Sequence, residues 1–202
     1  MRNVAGLTLR GMTGAAVEVE AEITGGMPAF AVVGLPDTAV KEARERVRAA
    51  LRTVNVLLRG RVSVNLAPAD LPKEGAMLDL PIAVALAEKA GRVRTERPAL
   101  YIGELALDGR LRGVRGAVPA AFFARENGME LFVPPENAAE VSIVEGVRAW
   151  SVPDLQSLVM HLRGEKSLET IEKREIECAE PAADPASPKL KGSGPAAKRA
   201  LE

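Results

Sequence analysis

The chain of 202 residues holds one cysteine, Cys178, and one histidine, His161. A lone cysteine excludes an internal disulfide and any zinc cluster built on thiolates. A lone histidine excludes a multi-histidine metal site. Aromatic residues make up 3% of the chain, with a single Trp150 and a single Tyr101, which leaves little for a platform on which nucleic-acid bases could stack. Neither sign of charge dominates: Lys and Arg number 27, and Asp and Glu also number 27. Affinity for a polyanion would therefore have to come from a local patch. No apolar run approaches the ~18 residues of a membrane span. Met1-Arg2-Asn3-Val4-Ala5 lacks the apolar stretch of a secretory signal. A cytoplasmic protein with no membrane partner is expected. A phosphate-binding loop is also missing. The nearest run, Gly192 to Arg199, has Ala197 where such a loop needs its second glycine and Arg199 where it needs a hydroxyl for magnesium.

What is present is a soluble, globular composition, 47% hydrophobic and 27% charged. With so few rings the core must be Val, Leu, Ile and Ala, which suits helices packed on a sheet and an α/β (α+β) architecture. Apolar periodicity runs to about residue 165. From 166 to 202 charge gives way to Pro, Ala and Ser, a linker composition that buries too little surface to fold. One domain over 1–165 followed by a mobile tail is expected.

Residues 16–23 alternate apolar and acidic side chains, the mark of a strand with one wet face. Thr24-Gly25-Gly26 breaks it, and Phe30 to Val33 forms a second strand that could pair with the first as a hairpin. Asp37 caps a helix whose apolar stripe is Val40, Ala43, Val47, Ala50 and Leu51. Lys41, Glu42, Arg44, Glu45, Arg46 and Arg48 read as its solvated face, with i,i+4 pairs Lys41–Glu45 and Glu42–Arg46. Residues 61–66 alternate again as a strand. Residues 78–90 are apolar nearly all round and read as a buried helix, with Pro81 in the first turn and Gly91 after the end. Asp108-Gly109 between two apolar runs predicts a hairpin with a two-residue type I′ turn. Helices over 118–126, 136–141 and 154–162 alternate with strands over 130–133 and 146–152.

Three carboxylates, Asp70, Glu74 and Asp79, fall close together before the buried helix. They could serve as an acid/base pair or a magnesium site, or as turn and cap residues. His161 and Cys178 have no companion groups nearby in sequence. Basic residues cluster at Arg59 and Arg61 and at Arg110, Arg112 and Arg115. These five are the candidate nucleic-acid contacts, set against ordinary solvated edge positions. Arginines without aromatic neighbours contact phosphates, so any DNA binding is expected to be salt-sensitive and indifferent to sequence.

Two segments carry a resemblance. Residues 33–51, from Val33-Gly34-Leu35-Pro36-Asp37 to Leu51, and residues 65–83, with Asn65-Leu66-Ala67-Pro68-Ala69-Asp70-Leu71-Pro72-Lys73-Glu74-Gly75, closely resemble the N-terminal domain of the magnesium-chelatase-like AAA+ ATPases, the group of the ComM and YifB proteins. The last residues, Ala196 to Glu202, look like the opening of the ATPase module. The resemblance implies a ribosomal protein S5 domain 2-like fold, as in the Lon proteolytic domain. It also implies ATP and Mg²⁺ for the full-length protein with no cofactor in residues 1–202, a hexameric ring of identical subunits, and DNA as a partner through branch migration in natural transformation. Lon-type peptidases carry Pro-Lys-Asp-Gly-Pro-Ser, with the serine as nucleophile and a lysine as its base. The matching run here, Pro72 to Met77, puts Met77 at the nucleophile position, and the hairpin match puts Val118 at the lysine position. A Ser–Lys dyad needs both members, so the resemblance implies a module without peptidase chemistry that helps the ring form or guides DNA. The alternatives are a degenerate hydrolase using Ser63 or Thr38, and a magnesium-chelatase-type subunit.

Overall fold

The computed structural model describes residues 4–11 and 13–173. Ten strands and five helices follow in order. They are β1 (Val4–Arg10), β2 (Thr13–Thr24), β3 (Ala29–Val33), α1 (Thr38–Thr53), β4 (Arg61–Ala67), α2 (Asp79–Lys89), β5 (Ala99–Tyr101), β6 (Glu104–Leu105), β7 (Leu111–Arg112), α3 (Ala117–Glu126), β8 (Glu130–Val133), α4 (Ala138–Val141), β9 (Arg148–Ser151), α5 (Leu155–Leu162) and β10 (Glu169–Thr170). Single 3₁₀ turns, Ala76–Leu78 and Pro135–Asn137, lead into α2 and α4.

Eight strands form one mixed sheet in the order β10-β9-β8-β5-β1-β2-β4-β3, and β6 pairs with β7 apart from it. β5 lies parallel to both β1 and β8, β8 to β9, and β3 to β4, while β1–β2, β2–β4 and β9–β10 are antiparallel. Helices cover both faces. A Cβ built on Gly6 would meet Leu78 and Pro81 at the start of α2. Leu9, whose side chain points to the other side of the strand, meets Gly116 at the start of α3. The core between the layers is aliphatic: Leu7, Val17, Val62, Val64, Leu66, Leu80, Ile82, Leu86 and Leu100 are all fully buried.

Asp37 caps α1, its Oδ1 accepting the Val40 N–H at 2.7 Å, and the five residues of the apolar stripe are all buried. α2 is buried from Asp79 to Ala87, as its uniform apolarity requires.

Four expectations are corrected. β2 and β3 do not pair, because β4 returns between them and bonds to both. The Asp108-Gly109 turn is not of type I′. The Gly109 N–H bonds to the Ala106 carbonyl and the Ala106 N–H to the Arg110 carbonyl, and Gly109 alone has a positive φ, +87°. That is a three-residue loop closed by a glycine bulge. On α1, Arg46 reaches an inward carboxylate rather than Glu42, and Glu45 lies 3.4 Å from Arg44. Residues 169–170 add a strand past residue 165, pairing with Ser151 and Trp150. Most of the linker expected from 166 onward, Cys178 and the run from Gly192 fall outside the described residues.

Candidate functional site

The two segments that carried the resemblance are joined in space. The Asp37 N–H donates to the Lys73 carbonyl at 3.0 Å, and the Lys73 N–H donates to the Leu35 carbonyl at 3.1 Å. The free oxygen of the Asp37 cap, Oδ2, accepts the Gly75 N–H at 3.0 Å. One carboxylate thus starts α1 and ties down the loop that precedes α2. Lys73 is fully buried, with its Nζ donating to the Pro68 carbonyl. Burial lowers its pKa from the ordinary lysine value, with Asp70 pulling the other way.

Beside this junction opens a cleft of about 540 Å³. One wall is Asp37, Glu74, Gly75, Ala76 and Met77, and the other is Leu9, Glu104, Gly113, Val114 and Arg115. The second wall is held by Asn137, which is buried. Its Oδ1 accepts the Val114 N–H at 2.9 Å, and its Nδ2 donates to the Val114 carbonyl at 2.8 Å. Met77 is 5% exposed and is anchored by a hydrogen bond from the Gly103 N–H to its carbonyl. Val118 sits in the first turn of α3 and packs on the core. Among the described residues the lining has no Ser, Thr, Cys, His or Lys side chain. The cleft therefore offers carboxylates and one guanidinium, without the serine and lysine of a Ser–Lys dyad. Ser63 lies within β4, between Glu22 and Ala31 on the neighbouring strands, and Thr38 is exposed at the start of α1.

The three carboxylates weighed as an acid/base or magnesium set are separated by their surroundings. Asp70 is exposed and Glu74 edges the cleft. Asp79 is fully buried and takes both guanidinium contacts of Arg46, Nε to Oδ2 at 2.6 Å and Nη2 to Oδ1 at 3.0 Å, along with the Leu105 N–H at 3.1 Å. Burial pushes the Asp79 carboxyl up, while the Arg46 contact holds it down. The same contact raises the Arg46 pKa. Among the described residues no group of three or more His, Cys, Asp or Glu side chains could hold a metal. The sequence reading missed this pair. The available signal was the position of Arg46, on the flank of the buried stripe of α1.

The five candidate arginines fall in two places. Arg59 and Arg61 are exposed just before and at the start of β4. Around the cleft, Arg110 is 2.7 Å from Asp108 and Arg112 is 3.5 Å from Glu104, while Arg115 lines the opening. The hairpin arginines therefore have carboxylate partners already.

The scarce rings also gather. Tyr101 stacks on Phe132 at 4.9 Å, Phe132 on Trp150 at 6.4 Å, and His161 lies 4.7 Å from Trp150. They occupy register positions on β5, β8 and β9, with His161 from α5. Tyr101 and Phe132 are buried, so the ladder is a packing feature rather than an open platform. His161 Nδ1 accepts the Leu168 N–H at 3.1 Å, which brings the chain toward β10. Burial lowers the His161 pKa, with Glu130 opposing. A depressed histidine favours the neutral folded form, so its contribution is fully present above the unfolded value of about 6.5 and is lost as pH falls through the folded value. Urea melts between pH 7.5 and pH 5 are expected to show a decline that is smaller in His161→Leu. An equal decline in both proteins would contradict this.

A family model described as subunit ChlI of Mg-chelatase matches residues 19–137, more than half of the chain. The chain belongs to this magnesium-chelatase ChlI-like family. It is 41% identical over 162 residues to the uncharacterized protein YifB of Salmonella typhimurium, covering 79% of this chain and 32% of that protein. It is 41% identical over 166 residues to the uncharacterized protein Rv2897c of Mycobacterium tuberculosis, covering 80% and 33%. It is 39% identical over 155 residues to the competence protein ComM of Haemophilus influenzae, covering 75% and 30%. The chain spans about a third of the length of the curated relatives it matches. No helix among the described residues is long and apolar enough to cross a membrane.

Proposed function

We propose that this chain is the N-terminal, non-catalytic module of a ring-forming AAA+ ATPase of the ComM and YifB type. It serves ring assembly or the guidance of DNA, while an ATPase region beyond it hydrolyses ATP with Mg²⁺. The fold is then of the ribosomal protein S5 domain 2-like kind found in the Lon proteolytic domain. Branch migration of DNA during natural transformation is the activity this reading gives the whole protein, in the cytoplasm. Likeness to a competence protein supports the DNA side of it.

The observation that carries the reading is the cleft itself. Met77 lines it, and by the resemblance Met77 takes the place of a Lon-like serine while Val118, in the first turn of α3, takes the place of its lysine. A thioether cannot attack a carbonyl, and an isopropyl group cannot take a proton. A fluorophosphonate probe is expected to leave the wild-type chain unlabelled. It is also expected to leave Met77→Ser unlabelled, since the new hydroxyl still lacks a base. Stoichiometric labelling of the wild type would overturn the non-catalytic reading.

A further inference from the structure

Helix α1 turns a line of cations to solvent. Lys41, Arg44, Arg48 and Arg52 recur at three, four and four residues, so they share one face of the helix. Glu45 alone interrupts them, and it is engaged by Arg44. Like charges four apart destabilise a helix. A chain with equal numbers of both signs has no need to segregate them for solubility. The line runs on past the helix. Arg48, Arg52 and Arg59 wall a groove of about 240 Å³ floored by Pro28, Leu57 and Leu58. An adjoining hollow shares Leu57 and Arg59 and adds Arg92, which is tied to the Asn55 carbonyl at 2.9 Å. Among the described residues no Asp or Glu lines either space. Among the described residues no carboxylate forms an ion pair with Arg48, Arg52 or Arg59; Arg48 instead faces the Phe30 ring at 6.0 Å.

We propose that this face of α1, continued by Arg59, binds the phosphate backbone of a nucleic acid. The proposal rests on the DNA-guiding half of the function above. It moves the contact from Arg110 and Arg112, which pair with Asp108 and Glu104, to a surface on which Arg48, Arg52 and Arg59 have no carboxylate ion pair among the described residues. The helix rises about 1.5 Å per residue, so Lys41 to Arg52 spans roughly 16 Å. A duplex strand advances about 3.4 Å per phosphate, so about five phosphates stand alongside four helix cations and Arg59. With no exposed ring ladder to read bases, such contacts position without specifying sequence.

The test is a salt titration of binding, by fluorescence anisotropy, of the chain to a short labelled single strand and a short labelled duplex. Arg48→Gln/Arg52→Gln/Arg59→Gln is expected to flatten the slope of log affinity against log salt by about 2 to 3, at 0.7–0.9 per lost phosphate contact. The corresponding triple lysine variant is expected to keep the wild-type slope, because a phosphate contact needs only the charge. Arg110→Ala/Arg112→Ala is expected to keep it as well. Circular dichroism melts verify that each variant is folded. An unchanged slope in the glutamine triple variant would overturn the proposal. So would wild-type chain that binds neither DNA at low salt. If in that case sedimentation shows the chain self-associating and the glutamine triple variant not, the stripe is a subunit contact, and the inference falls while the ring-assembly reading stands.

Discussion

Arg46→Met is expected to destabilise the domain by about 3–4 kcal/mol, because it strands a buried carboxylate. For a domain of this size that is a fall of roughly 6–16 °C in Tm. Asp79 is fully buried, and its only remaining donor among the described residues would be the Leu105 N–H. Two further results separate stranded charge from lost packing. In Arg46→Met/Asp79→Asn the amide still accepts from Leu105 and carries no charge, so most of the loss is expected to be recovered. The single variant should also show a pH signature. Burial already raises the Asp79 pKa against the pull of Arg46, and without Arg46 burial and Glu104, opposed by the Leu105 N–H, raise it further above the unfolded value of about 3.9. A raised carboxyl favours the folded state below the unfolded pKa, and that advantage is lost as pH rises through the folded value. The deficit relative to wild type is therefore largest at neutral pH and shrinks as pH falls. A double variant as unstable as the single one, with a pH-independent deficit, would contradict the stranded-charge explanation.

Gly34→Ala is expected to cost about 3–5 kcal/mol, at the upper end of single substitutions. Gly34 has a φ of +99°, and a Cβ there would stand 2.1 Å from the Leu66 carbonyl oxygen. The obstacle is backbone of β4, which cannot rotate away as a side chain could. Gly34 also begins the turn that delivers Leu35 and Asp37 to Lys73, so a shift there opens the junction beneath the cleft. Gly128→Ala provides the control. Its φ is +63° with nothing within 4 Å of the added Cβ, so only the left-handed backbone cost of about 1–2 kcal/mol applies. Equal melting temperatures for the two variants would show that the close approach at Gly34 is not real.

Much of the fold was legible because local signals were strong where they were read. Asp37 and the stripe from Val40 to Leu51 gave α1, uniform apolarity gave α2, and the run Glu130–Val133 gave β8. β1 is harder to read. It is a central strand buried on both faces over Val4–Thr8, so it shows no polar alternation, and Gly6 serves the close approach of α2. The pairing of β2 with β4 rather than β3 depends on a strand some forty residues away in sequence, which no turn signal encodes. β10 consists of Glu169 and Thr170 in a charged segment and has no apolar period to betray it. The site divides in the same way. Asp37 and Gly75, which meet beside the cleft, both lie in the two segments that carried the resemblance, whereas Arg46–Asp79 joins side chains 33 residues apart that no motif pairs. The basic stripe of α1 was visible as spacing but read as a solvated face. Which cations lack carboxylate neighbours depends on tertiary placement.

The most direct measurement compares the whole protein with a version lacking residues 1–173, scoring ATP hydrolysis and ring assembly on DNA by negative-stain microscopy. A non-catalytic assembly or guiding module should leave ATP hydrolysis without DNA within about a factor of two, while closed rings on DNA are lost. Rings forming on DNA as readily without residues 1–173 as with them would contradict the proposed role.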